Sequence, residues 1–391
     1  VDNLQAIRDL AVQASSDSTS STSRSSLNTE ATALYEMITK IATDTTYNGQ
    51  NLLDGTFSAQ SIQIGPNATN GSVTYSISSA ASTSLGAFVS EGYTRVPVTA
   101  ATSEPANNTT DSEDYTVGSS SISATANESA KDVAAKINAV SGSTGVTATA
   151  ETYAHLLSTN GSLETYTVEI NGTTTDGFSI SSSSVSGAVT AINAISGTTG
   201  VTAAATTDFK VLLHDADGDD ITIENTTDTL ANLDVYAVKR DGSTTQGNTA
   251  TDLAASGGND ATRIVGTLRL LSDSEFTVAQ AGTSTLGYLV AGTASRSAVS
   301  SVDLTDSIKA NHAIETIDSA LNQVAAIRGV IAANSKAFET AVNINVSLGA
   351  SKARGLAALE DADFAIETAR LAKAMMLKNA GTAMLAQANT N

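Results

Sequence analysis

Leu27-Asn28-Thr29-Glu30-Ala31-Thr32-Ala33-Leu34-Tyr35-Glu36-Met37-Ile38-Thr39-Lys40-Ile41 is the stretch that decides the fold. Leu27, Ala31, Leu34, Ile38 and Ile41 alternate spacings of four and three, which puts them on one helical stripe with coiled-coil periodicity. Upstream, Leu4, Ile7, Ala11 and Ala14 form a shorter stripe of the same kind, separated from the first by the polar run Ser15 to Ser23. Downstream, Asn48-Gly49 is the dipeptide favoured where two successive residues take positive φ. Ser61-Ile62-Gln63-Ile64 and Ser72-Val73-Thr74-Tyr75-Ser76-Ile77 then alternate like two strands of a hairpin, with Pro66 and Gly71 in the turn region between them.

The far end of the chain repeats the helical pattern. Ile317, Leu321, Val324, Ile331, Phe338 and Val342 keep the same a/d spacing, with Arg328 and Ser335 as polar interruptions. No proline follows Pro105, so the helix is expected to run to Gly349 and Gly355, where its continuity is in doubt. A second, Ala-rich run extends from Leu356 to Met384, and its small residues allow close helix approach. The two ends are expected to pack together as a long bundle.

The middle is different. Short alternating runs such as Tyr166-Thr167-Val168-Glu169-Ile170 and Asp220-Ile221-Thr222-Ile223 sit among Gly, Asn, Ser and Thr clusters. Ile137-Asn138-Ala139-Val140-Ser141-Gly142-Ser143-Thr144-Gly145-Val146-Thr147 returns 55 residues later as Ile192-Asn193-Ala194-Ile195-Ser196-Gly197-Thr198-Thr199-Gly200-Val201-Thr202. A strand precedes each copy, at Tyr115 and at Tyr166, so two copies make a duplicated β/α unit rather than a solenoid. The expected fold class is α+β: a discontinuous α-helical coiled-coil rod with a β-hairpin, carrying an inserted β-rich outer region. The rod takes residues 1–88 and 301–391. The Ser/Thr-rich insertion takes 89–300, with repeats at about 115–160 and 166–225 that form one domain or two.

Composition removes several functions. The chain has 391 residues, 20 Lys+Arg against 40 Asp+Glu, and a net charge of −20, which repels nucleic acid and anionic membrane surfaces. It has no cysteine, hence no disulfide, thiolate metal site or cysteine nucleophile. No apolar run is long enough to span a bilayer, and no basic-then-apolar leader opens the chain. Ser and Thr account for 104 residues, aromatics for 4%, and His155, His214 and His312 lie far apart in sequence, which argues against a catalytic cleft. No cofactor is expected. The strongest candidate for chemistry is His214-Asp215-Ala216-Asp217-Gly218-Asp219-Asp220 with Glu224; its glycine is misplaced for a calcium loop, and a hairpin turn at Asp217-Gly218 is the expected structure. Nine Asn-x-Ser/Thr sequons, among them Asn67, Asn70, Asn108, Asn160 and Asn171, barely exceed chance in so hydroxyl-rich a chain.

Both ends resemble bacterial flagellin. Leu4-Gln5-Ala6-Ile7-Arg8-Asp9-Leu10-Ala11-Val12-Gln13-Ala14 is similar to that family's IRELAVQA helix, Thr46-Tyr47-Asn48-Gly49-Gln50-Asn51-Leu52-Leu53 to its TxFNGxxLL turn, and Ile62-Gln63-Ile64-Gly65 to its IQVG strand. Leu359-Glu360-Asp361-Ala362-Asp363-Phe364-Ala365-Ile366-Glu367 and Ala380-Gly381-Thr382-Ala383-Met384-Leu385-Ala386-Gln387-Ala388-Asn389 resemble IEDADYAxE and AGTxxLAQAN. The resemblance implies a structural subunit without catalysis, polymerising through its helical ends into an extracellular filament for swimming, with the middle facing solvent. It implies export through the flagellar secretion apparatus, an export chaperone, a cap protein and other flagellin subunits as partners, and no nucleic acid or membrane. It also implies that segments flanking the present chain form the inner tube, so that this chain by itself polymerises poorly. Leu10, Gln13 and Glu30 fall where the family's contacts with toll-like receptor five lie, although they equally suit filament packing. Ala6 stands where an Arg is usual, which weakens that recognition by loss of a bidentate donor. A hook–filament junction protein, or a surface adhesin using the duplicated module, are the alternatives.

Overall fold

The computed structural model describes residues 1–16, 18–63, 71–92, 97–107, 113–125, 127–158, 164–227, 232–239, 250–255, 257–281 and 288–389. The chain divides into two units, Val1–Tyr47 with Ser79–Ala325, and Asn48–Ser78 with Ala326–Asn391.

The first unit begins with two helices, Asp2–Ser15 and Ser21–Asp44. Leu4, Ile7, Ala11 and Ala14 are all buried, as a one-sided apolar stripe requires. The polar break between the helices is built from caps. Ser20 Oγ accepts the Ser23 amide at 3.2 Å, while Arg24 donates to the carbonyls of Ala14 (2.8 Å) and Ser16 (2.9 Å), which the first helix leaves unpaired. Ala310, Ala313, Ile317 and Ala320 form the buried stripe of the opening turns of the last helix. Arg8 donates to both carboxylate oxygens of Asp318 (2.6 and 3.4 Å), and the Leu304 amide donates to Asn28 Oδ1 at 2.9 Å. The N-terminal helices and the opening turns of the last helix therefore meet within this unit.

Strands Gly86–Glu91 and Ser295–Ala298, where the chain enters and leaves the insertion, pair antiparallel, with Gly86 opposite Ala298. Gly86 has φ +142°, and a Cβ there would lie 2.0 Å from the Ser297 carbonyl oxygen, so only glycine fits. These strands belong to an eight-stranded sheet ordered Val201–Ala205, Val211–Asp215, Val146–Ser158, Thr267–Ser272, Gly86–Glu91, Ser295–Ala298, with Leu233–Ala237 and Thr251–Leu253 off that path. Two further sheets have four strands each.

The duplication is visible as two cores. One gathers Tyr115, Val117 and Ile122 with Val133 and Ile137 of helix Ala130–Ala139, and Val146 and Ala148 of the following strand. The other gathers Tyr166, Phe178 and Ile180 with Ala188 and Ile192 of helix Ser186–Thr199, and Val201 and Ala203 of the strand after it. In both copies a left-handed glycine, Gly145 (φ +68°) or Gly200 (φ +76°), stops the helical segment and turns the chain into the strand.

The second unit contains the hairpin Gln60–Gln63 with Ser72–Tyr75, in a register that sets Gln60 opposite Tyr75; Ile64, Gly65 and Pro66 lie outside the described residues. The Tyr75 ring packs on Phe338, with centroids 4.5 Å apart. Asn48 (φ +50°) and Gly49 (φ +77°) both take the left-handed conformation that the dipeptide predicts.

Four sequence expectations are corrected. Ser307–Ala388 is one continuous helix that passes through Gly349 and Gly355 without a break, since an isolated glycine costs a helix only about 1 kcal/mol and no proline accompanies it. The terminal helices do not bury one seam along their whole length: Val342 is exposed, and so is nearly every side chain after it. Tyr166–Ile170 is not one strand. It breaks at Thr167 into Glu164–Tyr166 and Val168–Ile170, which join different sheets. Finally, Asp217-Gly218 turns the chain between Val211–Asp215 and Ile221–Asn225, yet these strands also join different sheets, so the turn links two layers rather than closing a hairpin.

Candidate assembly interface

Of the predicted seam residues in the first unit, Ile317 is fully buried, and Leu27, Leu34, Ile38, Leu321 and Val324 are half-buried. Ile41 is 52% exposed while Ala42 is buried in its place, because a 3.6-residue helix drifts away from a strict heptad. In the second unit Ile331 and Phe338 are half-buried. On the first helix Leu10 and Ala6 are half-buried and Gln13 is exposed, its carbonyl accepting the Thr19 hydroxyl at 2.8 Å; Glu30 is exposed on the second helix.

The apolar residues of the last helix are the unusual feature. Leu359 (69%), Phe364 (72%), Leu371 (55%), Met375 (52%) and Leu385 (72%) stand in solvent. A helix gains most of its stability from packing an apolar face, and contiguous exposed apolar surface marks an interaction site.

The acidic loop is held by protein groups. Asp215 Oδ1 accepts the amides of Asp217 (3.0 Å) and Asp219 (3.2 Å), and Lys131 Nζ donates to the carboxylates of both Asp217 (3.2 Å) and Asp219 (2.7 Å). Asp220 accepts from Asn107 (2.7 Å) and Arg263 (3.2 Å), while burial pushes its carboxyl pKa upward. Gly218 (φ +78°) lies against Ala150, which a Cβ would meet at 2.3 Å. The loop is thus a packed joint between the two copies of the repeat, with lysine and arginine meeting its charge. His155 and His214 sit on neighbouring paired strands, His155 opposite Leu212 and His214 opposite Tyr153, closer than their sequence separation implies. The His214 ring stacks on Tyr153 at 4.3 Å, and burial holds His155 neutral by pushing its pKa down to about 4.

Two features escaped the sequence. The buried Arg269 joins Glu91 (2.5 Å) on an adjacent strand to Glu315 (3.0 Å) on the last helix, and Gln323 accepts the Gly86 amide (3.0 Å) and donates to the Gly86 carbonyl (2.7 Å). Together they fasten the helix to the mouth of the insertion. The partners are too distant in sequence for any periodicity to signal them.

Residues 1–58 match the bacterial flagellin N-terminal helical region, 107–165 the flagellin hook IN motif, and 314–391 the flagellin C-terminal helical region. The chain is 30% identical to the B-type flagellin of Pseudomonas aeruginosa over 397 aligned residues, covering 99% of this chain and 80% of that one. The chain belongs to the flagellin family. Flagellin B of Vibrio cholerae is 44% identical over 62 residues, 16% of each chain. Among solved structures, FliC from Burkholderia pseudomallei aligns at 18% identity with a TM-score of 0.32, covering 86% of this chain and 93% of that one. The junction protein FlgL from Legionella pneumophila aligns at 14% identity with a TM-score of 0.27, covering 87% of each. Flagellins are structural components of the extracellular flagellar filament, and in this flagellin no helix among the described residues is long and apolar enough to cross a membrane. The hook IN match ends where the first copy of the repeat ends; the second copy lies beyond it.

Proposed function

We propose that this flagellin polymerises with further copies of itself through its terminal helices, and that residues 89–300 form the outer surface of the resulting filament. The observation that carries this is the last helix beyond Val342, whose leucines, phenylalanine and methionines are exposed among the described residues and match the need of a neighbouring helix for an apolar seam. Export through the flagellar secretion apparatus, with chaperone and cap protein as transient partners, belongs to the same proposal. Antibodies against residues 91–300, gold-labelled on cells that make this chain, test it. Label along the whole shaft supports the filament subunit, whereas label confined to the filament base favours a junction protein, and label on the cell body an adhesin.

A finer proposal concerns Leu10, Gln13 and Glu30 as a surface that serves lateral packing or toll-like receptor five. The exposure of Gln13 and Glu30 supports it. Restoring a guanidinium with Ala6→Arg is expected to strengthen receptor binding in a solution assay; unchanged binding leaves packing as the role of these residues.

A further inference from the structure

Among the described residues, strand Val201–Ala205 is the outermost strand of the eight-stranded sheet, paired with Val211–Asp215 on one side. An edge strand presents a row of free amides and carbonyls, and a second chain can add itself there. This one is rich in small residues, Val-Thr-Ala-Ala-Ala, and carries no charge and no proline that would deter pairing. What covers it is a side chain. Asn193, on the helix that packs over the strand, donates from Nδ2 to the Ala203 carbonyl at 2.9 Å and accepts the Ala203 amide on Oδ1 at 2.8 Å. This is the reciprocal pair of bonds that a residue of a neighbouring antiparallel strand would make. One step back, Thr199 Oγ1 accepts the Val201 amide at 3.2 Å while donating to Ile195.

The first copy of the repeat repeats the arrangement atom for atom. Asn138 donates to the Ala148 carbonyl at 2.9 Å and accepts its amide at 2.8 Å, and Thr144 Oγ1 accepts the Val146 amide at 3.2 Å. There the strand continues past the clasp to Ser158 and pairs with other strands. Both clasps lie on a strand side without a paired strand among the described residues, Ala148 pairing Leu270 and Ala203 pairing Leu213, but in the second copy the whole clasped strand is the last of its sheet.

We propose that Asn193 acts as a one-residue substitute strand that keeps the Val201–Ala205 edge closed against the same edge of a second copy of this chain. An amide side chain suits the task because it carries one donor and one acceptor in fixed geometry and offers no further edge to the next chain. Closure matters wherever copies are crowded, since two such edges are self-complementary and their pairing is isologous. This inference goes beyond the polymerisation proposed above and fails independently of it.

The test uses the full chain, which lacks cysteine, so that any disulfide reports introduced thiols. Antiparallel pairing centred on Ala203 would set Thr202 of one chain opposite Ala204 of the other, and both are exposed. Chains carrying Thr202→Cys are mixed with chains carrying Ala204→Cys under mild air oxidation, with and without Asn193→Ala. The expected result is several-fold more cross-linked dimer in the Asn193→Ala background, returned to the original level by adding Ala203→Pro, which removes the amide that an incoming strand would use. A folded Asn193→Ala chain that cross-links no more than the parent overturns the proposal. Amide hydrogen exchange in the unmodified chain decides the matter if Asn193→Ala does not fold. Slow exchange at Ala203, on an edge without a neighbouring strand, is expected, and exchange as fast as in exposed loops overturns it.

Discussion

The insertion and the last helix use apolar residues in opposite ways. In the insertion Leu213, Ile221, Ile192 and Tyr166 are completely enclosed, and even the sheet edge is covered. Along the helix beyond Val342, residues of the same chemistry stand in water. The insertion completes itself within one chain. The helix leaves its leucines, phenylalanine and methionines exposed, which is the arrangement that the proposed assembly through this helix requires.

The largest effect that sharpens this contrast comes from paired truncations. Leu213→Ala is expected to cost about 2–5 kcal/mol in denaturant unfolding of the monomer, through lost burial and the cavity it leaves. Leu371→Ala is expected to stay within about 0.5 kcal/mol and to reduce incorporation into filaments of cells that make this chain instead. Equal destabilisation by the two would break the comparison. Next, Gly86→Ala forces a left-handed φ and a contact with the Ser297 carbonyl at the mouth of the insertion. A loss of at least ~1–3 kcal/mol is expected, read as a lowered thermal midpoint with the far-UV helical signal of the last helix retained.

Acid should act on the insertion through His155. Its folded pKa is about 4 because of burial, against roughly 6.5 in an unfolded chain. Between those values the unfolded chain holds the extra proton, so stability present above pH ~6.5 is lost progressively as the pH falls toward about 4. His155→Phe is expected to flatten that part of the stability–pH curve, and an unchanged curve would assign the acid response to other groups. The smallest effect belongs to Arg8→Ala. The ion pair with Asp318 is half exposed on both sides, so its loss is expected to have the smallest effect of the set on the unfolding midpoint, and one that shrinks further in high salt.

The helices were legible because apolar periodicity is a local signal, although only the stripe of Leu4, Ile7, Ala11 and Ala14 is buried at every residue it marks. The length of the last helix was not, since Gly349 and Gly355 were weighed as breaks although glycine lacks the steric veto of proline. The duplication could be read from Ile-Asn-Ala at two places, but the role of the asparagine could not. Its partner lies ten residues on, across a glycine turn, and apolar patterning ignores polar side chains. The offset at which Asn138 and Asn193 recur was the signal available. The split at Thr167 had none: Val168 and Tyr166 are equally buried, and only the pairing partners differ.

The paired strands at the mouth of the insertion set what can change over generations. Because Gly86–Glu91 and Ser295–Ala298 are hydrogen-bonded neighbours, everything between them leaves and returns through one narrow neck. Lengthening, shortening or exchanging that cassette need not move the helices it hangs from. Under the proposed function, the exposed region can therefore vary while the helical residues that meet neighbouring subunits stay the same.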